Sequence, residues 1–412
     1  MGNDILIVNI KGLVQVRQST HDYLAGRAQA ELPVLSDSFL LIKNGLIASY
    51  GSMNDLRDAS YPSIDASGSY VFPCFVDSHT HLVFAASRET EFVQKIKGAT
   101  YEEIAAKGGG ILNSAKVLQA VSEDRLLELT LPRAWEIIRS GTGAVEIKSG
   151  YGLTVKDEIK MLRVARRIGK ETPLKVKTTF LGAHAVPAGI TKDDYVRMVI
   201  NEMIPAVAAQ QLADYIDVFC EQGFFSQDDT ERIVEAGKAA GMKPKIHANQ
   251  LHRSGGVQVG VKTGAISVDH LENIGDEEIR ALKNSRTMPT VLPGAAFFLN
   301  LPFPPARKML SEGLPIAIAS DFNPGSAPSG NMPLMIAIAC IRMKMTPEEA
   351  INAATINSAY AMDILDTHGS ITPGKVANVF ITKPMPSVAY MPYAFGTNLI
   401  DKVIIDGRQV YG

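Results

Sequence analysis

Four apolar runs in this chain end in groups that bind metals or move protons. VFPCFVDSHTH ends in His79 and His81, KPKIHAN carries His247, AISVDHLE carries His270 and LPIAIASD ends in Asp321. Side chains alternate across an extended strand, so His79 and His81 project to one side while Thr80 faces away. Alone, the pair is a weak signal. A histidine at a strand end is commonly a hydrogen-bonded structural residue, and an Asp after a strand is commonly a helix N-cap. Those plain explanations would have to coincide on four strands. Imidazole and carboxylate without thiolate make a ligand set suited to zinc or iron, and such an ion activates water at neutral pH.

The elements that must position these groups are legible as a rhythm. Eight short apolar runs, CFVDSHTH, GAVEIKSG, LKVKTTFLG, YIDVFCE, KPKIHAN, AISVDHLE, TMPTVLP and LPIAIASD, alternate with segments of helical period such as KDEIKMLRVARRIGK. This predicts an α/β fold, a TIM-like (β/α)8 barrel of parallel strands with helices outside, whose C-terminal strand ends carry the site. An open doubly wound sheet competes, but no glycine fingerprint follows the first strand. Both ends of the chain have a different texture. DILIVNI, FLLIKNGLIASYG, KVANVFITK and NLIDKVIIDGRQVYG alternate around turn signals at Asn44-Gly45 and Asp406-Gly407, which predicts a small β-sandwich domain built from both termini. The expected division is 1–72 plus 373–412 for this domain and 73–372 for the barrel. Residues 85–120, with GGGI at 108–111, read either as a substrate-covering loop or as a flexible turn.

Composition excludes several classes. The 412 residues are 46 % hydrophobic and 20 % charged, with a net charge of -2, so there is no basic field to attract nucleic acid. No segment approaches the roughly 18 unbroken apolar residues of a membrane helix, and MGNDILIVNI has no signal-peptide pattern, so a cytoplasmic location without a membrane partner is expected. Cys74, Cys220 and Cys340 are far apart and odd in number. They fit neither a disulfide framework nor a cysteine zinc site.

The order His79-x-His81, His247, His270, Asp321, together with FVDSHTHLVFAASRE, EIKSGYGL, FLGAHAVP, KIHANQ and SDFNPGS, resembles the amidohydrolase superfamily. Within it, the chain is similar to the imidazolonepropionase family, which opens the ring of 4-imidazolone-5-propanoate to N-formimidoyl-L-glutamate in histidine degradation. The resemblance implies one zinc or iron ion per subunit, held by His79, His81, His247 and Asp321, and a homodimer. It also implies substrate contacts from Arg88, Tyr151, His184, Gln250, Asn323, Gly325 and Ser326. Arg88 offers a planar fork for the propanoate. Asp321 is the expected proton carrier, His270 orients the nucleophile, and His184 is the candidate donor to the carbonyl oxygen.

Two departures bear on neighbouring activities. Related ring deaminases use His then Glu three residues on, whereas this chain has His247-Ala-Asn-Gln250. An amide can hydrogen-bond a ring but cannot shuttle protons, which weakens a purine or pyrimidine deaminase reading. Some members of the superfamily that the chain resembles hold two metals bridged by a carboxylated lysine on the fourth strand, and that strand here ends in VFCE. Lys148 is then structural, and Glu221 is the remaining candidate to support a second ion. A non-catalytic scaffold is the alternative from another class, and the intact ligand set argues against it.

Overall fold

The structure is a computed structural model, and it describes residues 4–19, 22–99 and 109–412. Gly108 and residues 100–107 of the expected covering loop lie outside the described residues. Both turn signals are where the sequence places them. Asn44 and Gly45, with φ of 50° and 80°, join β2 (Val34–Lys43) to β3 (Leu46–Ser52). Asp406 and Gly407, with φ of 50° and 68°, join β15 (Ile400–Ile405) to β16 (Arg408–Tyr411). Two consecutive positive φ values match the right-handed twist of the flanking strands.

These hairpins belong to one sheet that draws on both ends of the chain. Its order is β16-β15-β14-β5-β1-β2-β3, with β4 (Ser63–Asp65) also pairing β1 (Ile5–Val14). The seam between the two ends is the antiparallel pair of β5 (Tyr70–Pro73) and β14 (Val379–Thr382). Alternating residues on one face, among them Ile7, Leu40, Ile42, Val71, Ile381 and Ile404, form a core separate from that of the barrel. The other face joins the main core through Phe72 and Phe380, whose rings stack at 5.2 Å.

The eight predicted strands are all present: β6 (Phe75–Thr80), β7 (Thr142–Lys148), β8 (Lys175–Ala183), β9 (Tyr215–Cys220), β10 (Lys243–Ala248), β11 (Ser267–His270), β12 (Met288–Val291) and β13 (Ala317–Ile318). Each pairs in parallel with the next from β6 to β13. The ring closes just beyond the short β13, where Asp321 N donates to His79 O and His81 N donates to Phe322 O, both at 3.0 Å. Closure therefore stitches together the segments that carry three of the predicted ligands. Helices start on side-chain caps, Thr154, Thr191 and Ser226 among them, each accepting a backbone N–H of the first turn. No described helix is long and apolar enough to cross a membrane.

Candidate active site

At the C-terminal end of the barrel, three imidazoles and one carboxylate converge. His79 Nε2 and His81 Nε2 each lie 3.6 Å from Asp321 Oδ1, and His247 Nε2 lies 3.4 Å from His81 Nε2. Ligands about 2.0–2.1 Å from a tetrahedral ion stand about 3.4 Å apart, so the spacing suits one metal. The hydrogen bonds fit as well. His79 Nδ1 meets Asp269 Oδ2 at 2.7 Å and His247 Nδ1 meets Asp217 Oδ2 at 2.9 Å. Ionised carboxylates only accept, so both rings carry the proton on Nδ1 and aim an Nε2 lone pair at the centre. His79 Nε2 is buried with no hydrogen-bond partner among the described residues. An orphaned buried lone pair is costly unless a cation uses it.

Electrostatics keep these rings neutral. Burial, reinforced by Lys148, pushes His79 well below the ordinary imidazole range, and burial with neighbouring His184 does the same to His81. Burial lowers His247 to about 4 despite the opposing pull of Asp217. Burial raises the Asp321 carboxyl to about 6. At His270 burial works the other way, but the carboxylates of Glu272, Asp321 and Asp269 outweigh it and raise the ring above its usual value. His270, with His79 and His247, forms a second cluster of possible ligands. Two of these residues have left-handed backbones, φ 90° at His270 and 55° at Asp321. Such conformations cost about 1–3 kcal/mol each and persist where the surroundings dictate them.

Beneath the ligands lies a buried lattice that sequence reading missed. The Lys148 ammonium contacts Glu146 at 2.5 Å, Asp217 at 2.8 Å and Asp269 at 3.7 Å, and Lys245 pairs with Glu146 and donates to Ser78 O at 2.8 Å. All five side chains are fully buried. Burial alone would raise the Asp217 carboxyl, but His247 and Lys148 hold it well below the usual range. The lattice thus holds in place the two carboxylates that fix the tautomers of His79 and His247. A signal was available in the spacing: Glu146 with Lys148, and Lys245 with His247, share the inner face of their strands at period two.

The remaining predicted residues line one cavity of about 740 Å³ over the centre, among them Arg88, Tyr151, His184, Gln250, Asn323, Gly325 and Ser326. Tyr151 sits on a loop wrapped around Glu158, whose carboxylate accepts from the N–H groups of Gly150, Gly152 and Leu153 at 2.8–2.9 Å. Gly150 has φ +111°, and a Cβ on Gly152 would lie 2.4 Å from Glu158 N. Both glycines are required for the loop. The NPGS turn is likewise self-supporting: Asn323 Oδ1 accepts from Gly325 N and Ser326 N, while Ser326 Oγ donates to Asp321 Oδ2 at 3.1 Å. Asn323 Nδ2 is engaged by Asp321 O and Ser326 Oγ, so its amide shapes the turn.

Three expectations change in detail. His184 Nδ1 lies 3.0 Å from Gly150 O, and a carbonyl only accepts, so this nitrogen holds the proton. Burial and His247 lower the ring to about 3, which leaves neutral His184 with Nε2 as an acceptor. It cannot donate to a carbonyl oxygen in that state. Glu221 accepts from Gln222 N, Leu251 N and His252 N and belongs to neither ligand cluster among the described residues. It is not placed to support a second ion. Arg88 is not an unpaired fork either: Glu91 Oε2 takes Nε at 2.8 Å and Nη2 at 2.5 Å.

The barrel falls within residues 70–410, which match the amidohydrolase family, and the chain belongs to that family. The fold is similar to those of an adenosine deaminase from Xanthomonas campestris with bound zinc (TM-score 0.73, 18 % identity, covering 99 % of this chain and 93 % of that one) and an E. coli guanine deaminase (0.75, 14 %, 99 % and 99 %). An imidazolonepropionase from Flavobacterium johnsoniae is 56 % identical over 408 residues, 98 % of this chain and 99 % of its own. Another from Geobacillus kaustophilus is 41 % identical over 414, covering 98 % and 97 %. Within the amidohydrolases, this chain falls among the imidazolonepropionases.

Proposed function

We propose that the site hydrolyses the ring amide of 4-imidazolone-5-propanoate, giving N-formimidoyl-L-glutamate. The chain is a hydrolase of cyclic amide C–N bonds, and full-length similarity to imidazolonepropionases supports this substrate. The observation that carries the reading is the convergence of His79, His81, His247 and Asp321 in the cavity that Arg88 also lines. Those four residues would hold one zinc or iron ion. When bound, the ion supplies Lewis acidity, lowering the pKa of water and stabilising charge on a carbonyl oxygen.

The protein's own groups do the rest. Asp321 takes the proton of the water that attacks the ring carbonyl carbon and returns it to the departing ring nitrogen as the C–N bond breaks. His270 hydrogen-bonds and orients that water. His184 Nε2 accepts a ring N–H, the role its tautomer permits, and Gln250 and Tyr151 position the ring. Gln250 in place of a Glu supports ring opening over deamination, because opening releases no ammonia. Residues 73–372 form the catalytic unit in this reading, with 1–72 and 373–412 as its companion, in a cytoplasmic homodimer.

The deciding assay follows loss of substrate absorbance alongside elemental analysis of the same preparation. A chelator is expected to abolish turnover, and readdition of zinc or iron to restore it, with the better metal naming the native ion. An undiminished rate in stripped protein would overturn the metal reading. A second expectation concerns Gly325, where a Cβ would lie 2.2 Å from Arg88 Nη1. Gly325→Ala should displace a guanidinium that Glu91 holds in place. The Michaelis constant for the imidazolone should rise about tenfold, the scale of one charged hydrogen bond, with turnover and melting temperature little changed. An unchanged Michaelis constant would remove Arg88 from the substrate's environment.

A further inference from the structure

Arg88 caps the N-terminus of the helix Glu89–Ile96. Positions three or four and seven along a helix share its face, which brings Glu91, Phe92 and Lys95 round to the side of Arg88. All but Glu91 line the cavity. Arg88 is neutralised there by Glu91, whose other oxygen accepts from Gly110 N at 2.9 Å. The Arg88–Glu91 pair is fixed in geometry but contributes no net charge. Lys95 differs: its ammonium reaches Gly325 O at 3.5 Å and has no ion-pair partner among the described residues. Both cations therefore converge on one peptide, Arg88 at the α-carbon of Gly325 and Lys95 at its carbonyl. Lys95 is half-buried beside Arg88 and Glu91, and burial with the Arg88 charge pulls its ammonium below the usual lysine range. A partly desolvated cation without a counter-ion, facing a cavity, is a binding point for an anion.

Resting on the imidazolone reading, we propose that Lys95 is a second carboxylate-binding residue, supplying the net positive charge by which the site selects ring substrates with an acidic side chain. Arg88 gives that subsite its planar geometry, and Lys95 gives it its charge. The selection is for the carboxylate and not the ring, so it acts on ground-state binding.

The test uses metal-loaded enzyme, wild type, Lys95→Met and Lys95→Arg, with two substrates: 4-imidazolone-5-propanoate and its neutral propanamide analogue. Lys95→Met should raise the Michaelis constant for the acid about ten- to hundredfold, the range of a charge-assisted hydrogen bond. Its kcat for the acid and its Michaelis constant for the amide should stay close to wild type. Lys95→Arg should restore the acid's Michaelis constant to within a few-fold. Equal losses on acid and amide, or no loss on either, in an enzyme whose wild type is active, would overturn the role of Lys95 alone. A metal-loaded wild type that opens neither ring would overturn the substrate reading and this proposal with it.

Discussion

Asp321→Asn should yield a folded protein that still binds metal and turns over the imidazolone about two to four orders of magnitude more slowly, the usual scale of positioned acid–base catalysis. The amide keeps an oxygen lone pair for the ion, and His79, His81 and His247 keep their Nε2 atoms directed at the same point. The amide nitrogen then takes the place of Oδ2, so the Ser326 hydroxyl, which donates to Oδ2, must turn to accept instead. What disappears is a buried carboxylate able to take a proton at the attack and return it to the leaving nitrogen. An amide cannot do that. Turnover and metal content must be read on one sample, because a loss of metal alone would mimic the result. Near-normal turnover with metal bound would remove Asp321 from the proton path.

Lys148→Met should be the most damaging change away from the reacting atoms. It removes the cation shared by Glu146, Asp217 and Asp269 and leaves their charges to Lys245, which contacts Glu146 and reaches Asp269 only at 4.0 Å. Breaking a buried ion pair from one side costs about 3–5 kcal/mol, readable as a lower denaturant midpoint. Metal affinity should fall as well, by about ten- to a hundredfold, the usual effect of losing support behind metal-binding histidines. Asp217 and Asp269 lose the ammonium they share, and with it part of what fixes their hold on His247 and His79. Competition against a chromogenic chelator would measure this without any catalytic assay. An unchanged midpoint and an unchanged affinity would show that the lattice is dispensable.

The four converging side chains were legible because each sits at the end of an apolar run, and eight such runs in a βα rhythm leave few alternatives to a barrel. Strand alternation then placed His79 and His81 side by side with no knowledge of the fold. The lattice was not legible for the converse reason. Lys148 reads as structural from the sequence, but its partners Asp217 and Asp269 lie on other strands, and only barrel closure brings β7, β9, β10 and β11 close enough for the two lysines to meet the three carboxylates. Arg88 was found through its motif, but its neutralisation by Glu91 three residues on, and the position of Lys95 a turn further, needed the helix to be seen. The tautomer of His184 depends on the Gly150 carbonyl, contributed by the loop after a different strand. No spacing along the chain encodes that contact.

The seam between β5 and β14 also joins strands that lie far apart in the order of synthesis. Only Cys74 separates β5 in the terminal sheet from β6, which carries His79 and runs on into His81. Its antiparallel partner β14 begins at Val379, after all eight barrel strands. A growing chain can thus contain every metal ligand while the strand leading into the first two still has an unpaired edge. The rings of Phe72 and Phe75 remain without Phe380, against which each packs in the finished protein. The strand leading into the first two histidines is therefore fully packed only once the last strands of the chain are in place.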